Sequence, residues 1–569
     1  MLTYTKGNER NQSQYKFLRG LPIICGDCDR LPQEMSIMNH QESEATKLDD
    51  AQIRRFICDG ILVLDSAVDG AIHQTIRHKL EWVNKNDRRI EGNIMPRVPE
   101  LQTVLDSPVI KGALQSLLGD DFFFHPHRMM VPSEPLPLEQ RNMELRGNED
   151  GPPMGEGSMA YSYWHKDTYI PLGQARYHAP YRLFLFYFPQ DTPVEMGPTR
   201  VIPGSQYQDD ISVEDHAYGI VPEGIKAGSC MLAAFDINHA GMSNLADQTR
   251  YMVKFNFLRT SLPEQPSWNG GSGAWQTPSE LLGRYSHPQL WSTMWDWMRG
   301  HPRLDILPAK DIALHISHLN SPDQPLRLEA IYSLGAMGQA ALTPLLESLA
   351  STQGQGRIDP PYTQNEDGSY SANTANSSER RWTEGGYTFQ DEAYALGCLG
   401  ELAIDPLCQL LTSEDPWIVI NAAFALGQIG HPAARAVDDL AALLDSDDHR
   451  VVRALLESIS CIGRNTKAAL PGIEKILRTD RETWQQDFDL PYLVGDQIHF
   501  NAAFALLSSD LPITAMEGLL LELLAPPAKR NFVQAIALEI LLRHDSAAGL
   551  RGALGYLQAH CWDDTEMSA

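Results

Sequence analysis

The hexapeptide NAAFAL occurs twice, at 421–426 and 501–506, and this duplication restricts the fold more than any other feature of the chain. It belongs to a series of six Ala- and Leu-rich segments after residue 305. They begin near LEAIYSLGAMG, DEAYALGCLG, NAAFALGQIG, VRALLESISCIG, NAAFALLSSD and VQAIALEILL. Glycines that close the turns fall at 338, 400, 430 and 463, so neighbours lie 62, 30 and 33 residues apart. The first gap is two units' worth because a polar stretch is inserted near 352–388. A period of this size holds one helix pair, and each pair buries its apolar face only by stacking on the next. Residues 305–560 are therefore expected to form an α-solenoid. That pattern is nearly silent on chemistry.

The first half has another texture. Residues 1–47 mix charges, Asn and Gln without periodicity and read as an arm. A domain is expected over 48–300. It opens with LDDAQIRRFICDG, where Asp49 is a candidate N-cap, Ile53, Phe56 and Ile57 share a helical face, and Gly60 ends the helix. ILVLD follows as a short buried strand. From 120 to 260, apolar runs such as YRLFLFYFP, GSCMLAAF and RYMVKFNFLRT alternate with Gly, Pro, Asn and Asp clusters. Short strands at that spacing predict a β-sandwich or barrel, giving a multidomain β + α chain. PEQPSWNGGSGAWQTP reads as a linker, and PQLWSTMWDWMRG as a Trp-rich helix closing the domain.

Charge and composition remove several function classes. With 46 Lys and Arg against 73 Asp and Glu, the net charge of −27 opposes nucleic-acid binding, which needs a basic footprint. No run of eighteen apolar residues exists, so membrane insertion is not expected. The polar first twenty residues lack a secretory signal, and a cytoplasmic location is the expectation. Cys25 and Cys28 form a CxxC, but no second pair or His cluster completes a zinc site.

The segment SYWHKDTYIPLGQ, 162–174, holds the chemistry-bearing candidates. On a strand, His165 and Asp167 point to one face and aim an imidazole and a carboxylate at one point. One such HxD is expected by chance in a chain with 18 His, so alone it reads as a charged surface tripeptide. Lys166 points away from both, toward solvent. A facial triad for non-haem Fe(II) needs a second His from a distant strand, and His239 follows an apolar strand. Arg250, eleven residues on, can return beside it in a hairpin and offer a bidentate cation to a carboxylate. Between them lies MGPTRVIPGSQY, a tight turn feeding a strand.

The ordered set HxD, GPxxVIPGS and AGS…FD…HxGxxN…R…FxR, together with the opening helix and strand, resembles the phytanoyl-CoA dioxygenase family of Fe(II)/2-oxoglutarate oxygenases over about residues 48–262. The repeats resemble HEAT repeats. The resemblance implies a double-stranded β-helix (jelly roll, cupin-like) followed by a HEAT-like solenoid. It implies Fe(II) ligation by His165, Asp167 and His239, with Arg250 pairing the far carboxylate of 2-oxoglutarate. Gly241 stands where many members carry Ser or Thr, which leaves Ser243 as the nearest hydroxyl to assist Arg250. Asp167 occupies the position that related halogenases leave small for chloride, so hydroxylation is expected instead. Consumption of O2 and 2-oxoglutarate would yield succinate and CO2, with ascorbate helping to keep the iron reduced.

Arg128, Trp164 and Tyr169 are candidate substrate contacts, each weighed against a salt bridge or core packing. Arg200 could face the pocket or the surface, and Asn244 is expected to fix its turn. The expected substrate is a small-molecule metabolite, hydroxylated at an unactivated C–H bond. Two alternatives are a HEAT-repeat scaffold with a catalytically idle jelly roll, and an oxygenase whose repeats recruit a protein or carrier-bound substrate. A cupin-type hydrolase is disfavoured by Arg250.

Overall fold

The computed structural model describes residues 44–87, 94–139, 141, 164, 166–167, 178–209, 213–222, 224–300, 307–356, 362–364, 370–372, 387–485, 494–525 and 531–560. The expected N-terminal arm with its CxxC, and most of the insertion in the repeats, lie outside these residues.

The chain enters the described part through α1 (Asp50–Asp59), and its sequence signals act as expected. The Asp49 side chain accepts from Gln52 N at 2.8 Å, Gln52 Oε1 accepts from Asp49 N at 3.1 Å, and Gly60 ends the helix at φ +74°. Next come β1 (Ile61–Asp65), α2 (Gly70–Asn86), α3 (Leu101–Leu105), α4 (Pro108–Leu118), β2 (Phe123–Phe124) and β3 (Met129–Met130). Beyond these lie β4 (Arg182–Tyr187), β5 (Arg200–Val201), β6 (Ser229–Ala234), β7 (His239–Ala240) and β8 (Val253–Leu258). The main sheet has the order β1-β6-β4-β8-β2, with β3 also pairing β8, and every pairing is antiparallel. β5 and β7 form a second, two-stranded sheet.

Strand register divides the main sheet into two faces. Leu183, Leu185, Tyr187, Leu232, Val253, Phe255 and Phe257 join the core shared with the helices. Phe184, Phe186, Met231, Ala233 and Met252 pack into a separate inner cluster with Val201 and Ile237. The inner face is where the site lies.

The expected linker is not a linker. Trp268 is buried, its Nε1 donates to Asp50 Oδ1 at 2.7 Å, and its ring sits 5.3 Å from Trp295 of α5 (Pro288–Met298). Trp275 packs 6.4 Å from Trp291 of the same helix. Glycine and proline gave the stretch the texture of a connection. Its two tryptophans tie it to α1 and α5, because leaving such large apolar surfaces in water is costly.

After α6 (Ile312–His318), six helix pairs follow among the described residues, as the six repeat segments predict. They are α7 (Gln324–Ala336) with α8 (Gln339–Ser351), α9 (Asp391–Cys398) with α10 (Glu401–Leu410), and α11 (Pro416–Ile429) with α12 (Val437–Ala442). The last three are α13 (His449–Ile462) with α14 (Leu470–Arg478), α15 (Val494–Leu507) with α16 (Ile513–Leu524), and α17 (Asn531–Arg543) with α18 (Ala547–His560). A hairpin of β9 (Tyr362–Gln364) and β10 (Tyr370–Ala372) belongs to the insertion.

The turn glycines 338, 400, 430 and 463 all have positive φ, which explains their recurrence. The glycines inside the first helices act by size. A Cβ on Gly335 would lie 2.4 Å from Cys398 Cβ, and one on Gly397 would lie 2.7 Å from Gln428 Cβ. Gly335→Ala is expected to destabilise the protein by about 1–3 kcal/mol through overpacking, read as a lowered urea midpoint.

Residues Ala45–Ala569 form one compact unit, and a single apolar core runs from the sheet's outer helices into the repeats. The first helices of the pairs face the β domain. Phe504 of α15 meets Phe123 at 6.2 Å, and Tyr394 of α9 stacks on His178 at 4.4 Å. His178 Nδ1 lies 2.6 Å from the Tyr332 hydroxyl of α7, and Arg543 of α17 donates to the Phe122 carbonyl at 3.2 Å. No helix among the described residues is long and apolar enough to cross a membrane.

Candidate functional site

The inner face of β8 and the chain leading into it carry a row of alternating residues: Arg250, Met252, Lys254 and Asn256. Register sets Lys254 opposite Phe186 and Asn256 opposite Phe184 on β4. The sequence RYMVKFNFL already contains this period of two. The polar members are conspicuous because the intervening Val253, Phe255 and Phe257 supply the outer core.

His239 and Asp167 meet against this row. His239 on β7 is buried between Phe184 and Phe186, with ring centroids 5.7 and 5.8 Å away. Its Nδ1 lies 3.1 Å from the Ile237 carbonyl, which can only accept. Nδ1 therefore carries a proton, and in the neutral imidazole Nε2 presents a lone pair. Nε2 lies 4.0 Å from Asp167 Oδ1. The other carboxylate oxygen of Asp167 accepts from the Lys254 ammonium, which also sits 4.0 Å from the Phe184 ring centroid. Lys254 was not anticipated from the sequence.

Arg250 occupies the far end of the row. It is buried, donating from Nη1 to the Val131 carbonyl at 3.2 Å and from Nη2 to the Gly197 carbonyl at 3.1 Å. Its Nε is buried without a hydrogen-bond partner, and no carboxylate pairs with the guanidinium among the described residues. Burial alone brings its pKa down to about 10, so it remains a cation at neutral pH. A buried cation held only by carbonyls is costly and suits an anionic ligand.

Other expected residues fall at varied distances from this centre. His165 and Tyr169 lie outside the described residues. Ser243 is buried beside the Gly197 turn, where a Cβ on Gly197 would come within 2.6 Å of the Ser243 carbonyl. Asn244 fixes its turn as expected, donating to Ser133 O and Gln248 O at 2.8 Å each and accepting from Ala246 N. Trp164 packs with Ile202 and Ala240 beneath the Arg200 guanidinium, 4.4 Å from the ring. Arg128 lies over the Phe124 ring at 3.7 Å and donates to the carbonyls of Phe124 and His125. Burial lowers its pKa to about 10, opposed by the charge of Glu539 on α17.

Lys166 corrects an expectation. It does turn away from the ligand face, but not to solvent. It is buried, donating to the Ser205 carbonyl at 2.6 Å and to the Asp236 carbonyl, with Asp236 Oδ2 at 3.6 Å. The turn after β5 and the segment after β6 cover that side, so the lysine anchors the segment carrying Asp167, which lies in a 3-10 turn rather than on the expected strand.

Whether an iron ion suits these residues can be judged from the donor set. One carboxylate oxygen and one imidazole lone pair, both buried, stand within reach of a shared ion, and the imidazole proton is bound by a backbone carbonyl, as in typical metal-ligating histidines. No group of three or more ligating side chains occurs among the described residues. The third donor implied by the sequence, His165, is not among them. The residues present fit two corners of a facial triad.

Comparison with known proteins identifies two kinds of family match. Residues 57–252 match the family model for Phytanoyl-CoA dioxygenase (PhyH), 394–486 match HEAT repeats, and 326–351 match the PBS lyase HEAT-like repeat. Similar solved structures include the non-heme alpha ketoglutarate dependent carbocyclase SnoK from nogalamycin biosynthesis, at 17% identity over 38% of this chain and 88% of that one, with a TM-score of 0.29. Another is EctD from S. alaskensis with 2-oxoglutarate and 5-hydroxyectoine, at 15% identity over 42% of this chain and 86% of that one, with a TM-score of 0.30. No curated protein matches the chain. Residues 57–252 are thus a domain of the phytanoyl-CoA dioxygenase family, joined on one chain to a tract of HEAT repeats.

Proposed function

We propose that this protein is an Fe(II)- and 2-oxoglutarate-dependent dioxygenase that hydroxylates a C–H bond of a small-molecule metabolite. The observation that carries the reading is Arg250: a buried guanidinium with no carboxylate partner among the described residues, on the same inward face as the pair Asp167 and His239.

Asp167 and His239, with His165, would hold the iron, and Arg250 would bind the far carboxylate of 2-oxoglutarate, assisted by Ser243. When bound, the iron and its co-substrate supply oxidation by O2, releasing succinate and CO2. The chain's own residues set the conditions. Ile237 fixes the tautomer of His239, and Lys254 holds one oxygen of Asp167 so that the other stays turned toward His239. Phe184 and Phe186 exclude water from one side of the centre. The first repeat helices pack on the β domain, which supports a bracing role for the solenoid and a small substrate over a recruited protein. Ascorbate as a reductant and a cytoplasmic setting belong to the same proposal.

The test is anaerobic addition of Fe(II) and then 2-oxoglutarate to the full chain. A visible metal-to-ligand charge-transfer band is expected, and its absence at millimolar co-substrate would sink the reading. Arg250→Gln should weaken 2-oxoglutarate binding about 10- to 150-fold, the range for hydrogen bonds to a charged group.

A further inference from the structure

Beyond Lys254, the inward row ends at a second set of buried polar groups. Asn256 Oδ1, His125 Nε2, and Nε and Nη1 of Arg182 are all buried without hydrogen-bond partners. Asn256 and His125 are themselves about 1% exposed. The three belong to one wall. Asn256 sits opposite Phe184, Arg182 lies two residues from Phe184 on the same face of β4, and His125 N donates to the Asn256 carbonyl at 3.0 Å.

The protonation of His125 follows from its neighbours. Nδ1 accepts from the His127 backbone N–H at 3.0 Å, so the neutral ring carries its proton on Nε2. Burial first, then the charges of Arg182, His127 and Arg128, hold the imidazole in that neutral form. Arg182 stays cationic at neutral pH, with its pKa lowered to about 9 by burial and supported by the Asp167 charge. Asp167 already accepts from Lys254. The Arg182 guanidinium stacks 3.7 Å from the Phe235 ring centroid, and the wall offers three N–H donors from two side chains and one amide acceptor without hydrogen-bond partners. Leaving such groups unpaired costs about 1–3 kcal/mol each, and more for a cation.

The repeats flank this wall. Phe500 of α15 lies 5.4 Å from the His125 ring and Phe532 of α17 lies 4.9 Å from it. Both are rigid apolar surfaces contributed by the HEAT tract.

We propose that Arg182, His125 and Asn256 form a carboxylate-binding subsite for the organic substrate, with Phe500 and Phe532 of the repeats against its apolar body. The substrate class is then a carboxylic acid with an aromatic or branched apolar portion. Its acid group anchors about one pleat repeat, roughly 7 Å, along the sheet from Lys254. The solenoid becomes a wall of the substrate pocket as well as a brace. This rests on the oxygenase reading of Asp167, His239 and Arg250.

The experiment titrates 3-phenylpropionate into metal-free, full-length protein by calorimetry, alongside the uncharged 3-phenylpropanol. Saturable binding of the acid is expected, at least about tenfold tighter than the alcohol. Arg182→Gln should weaken the acid at least tenfold, and His125→Phe should weaken it by a smaller factor. Arg250→Gln should leave it within twofold. No saturable binding of the acid, or equal binding of acid and alcohol, overturns the proposal without any variant needing to fold. Loss in Arg250→Gln but not in Arg182→Gln also overturns it, by placing the acid in the co-substrate site. A separate 2-oxoglutarate titration with Fe(II) reports on the oxygenase reading, so failure of the subsite is distinguishable from failure of that reading.

Discussion

Replacing His239 by alanine is expected to abolish iron-dependent succinate formation and to lower Fe(II) affinity by more than about 100-fold. The bound exceeds the 10- to 100-fold typical of losing only an outer hydrogen-bond partner of a metal ligand. His239 is one of two described donors at the centre, and its ring orientation is fixed by the Ile237 carbonyl at Nδ1. Alanine also removes the imidazole while leaving the Asp167–Lys254 ion pair, an arrangement that favours the ion pair over a metal. The readouts are metal content after dialysis and succinate release. Retention of iron and turnover at near wild-type levels would remove His239 from the ligand set. The fold is expected to persist, since β7 pairs through backbone groups that alanine keeps.

The second large effect concerns the join between the two parts. A chain ending at residue 300 is expected to be insoluble or to lose its cooperative thermal transition. Without the repeats, Phe123, His125 and His178 lose Phe504, Phe500, Phe532, Tyr332 and Tyr394 as packing partners. Each large buried side chain returned to water costs about 1.5–3 kcal/mol. Three or four such losses rival the entire 5–15 kcal/mol that stabilises an ordinary domain. Sedimentation and a calorimetric melt of the truncated chain check this. A soluble monomer melting near the full-length temperature would show that the β domain stands alone and that the solenoid is an appendage.

Much of this organisation was legible in the residues. The N-cap at Asp49, the stop at Gly60 and the six repeat segments depend on local rules of backbone conformation and periodicity, and each element formed where those rules put it. The assignment of 263–278 as a linker failed because Gly and Pro report backbone freedom, while the fate of Trp268 and Trp275 depends on what lies across from them. Lys166 failed for a related reason. It turns away from Asp167 as expected, but whether that side of the segment is covered is decided by segments distant in sequence.

The site shows the same division. Asp167, His239 and Arg250 could be named from an ordered motif because their chemical types are rare in that order. Lys254, Asn256 and Arg182 could not, because a polar residue in a strand acquires meaning only when register reveals its neighbours across the sheet. By itself, the sequence determined that a β domain precedes stacked helix pairs, and that His165, Asp167, His239 and Arg250 are the side chains to examine first. Tertiary structure decided that the two parts share one core, that Lys254 grips Asp167, and that aromatic residues more than 300 positions downstream stand beside His125. Local preferences act over a few residues, whereas burial and charge pairing depend on which surfaces meet once the whole chain has folded.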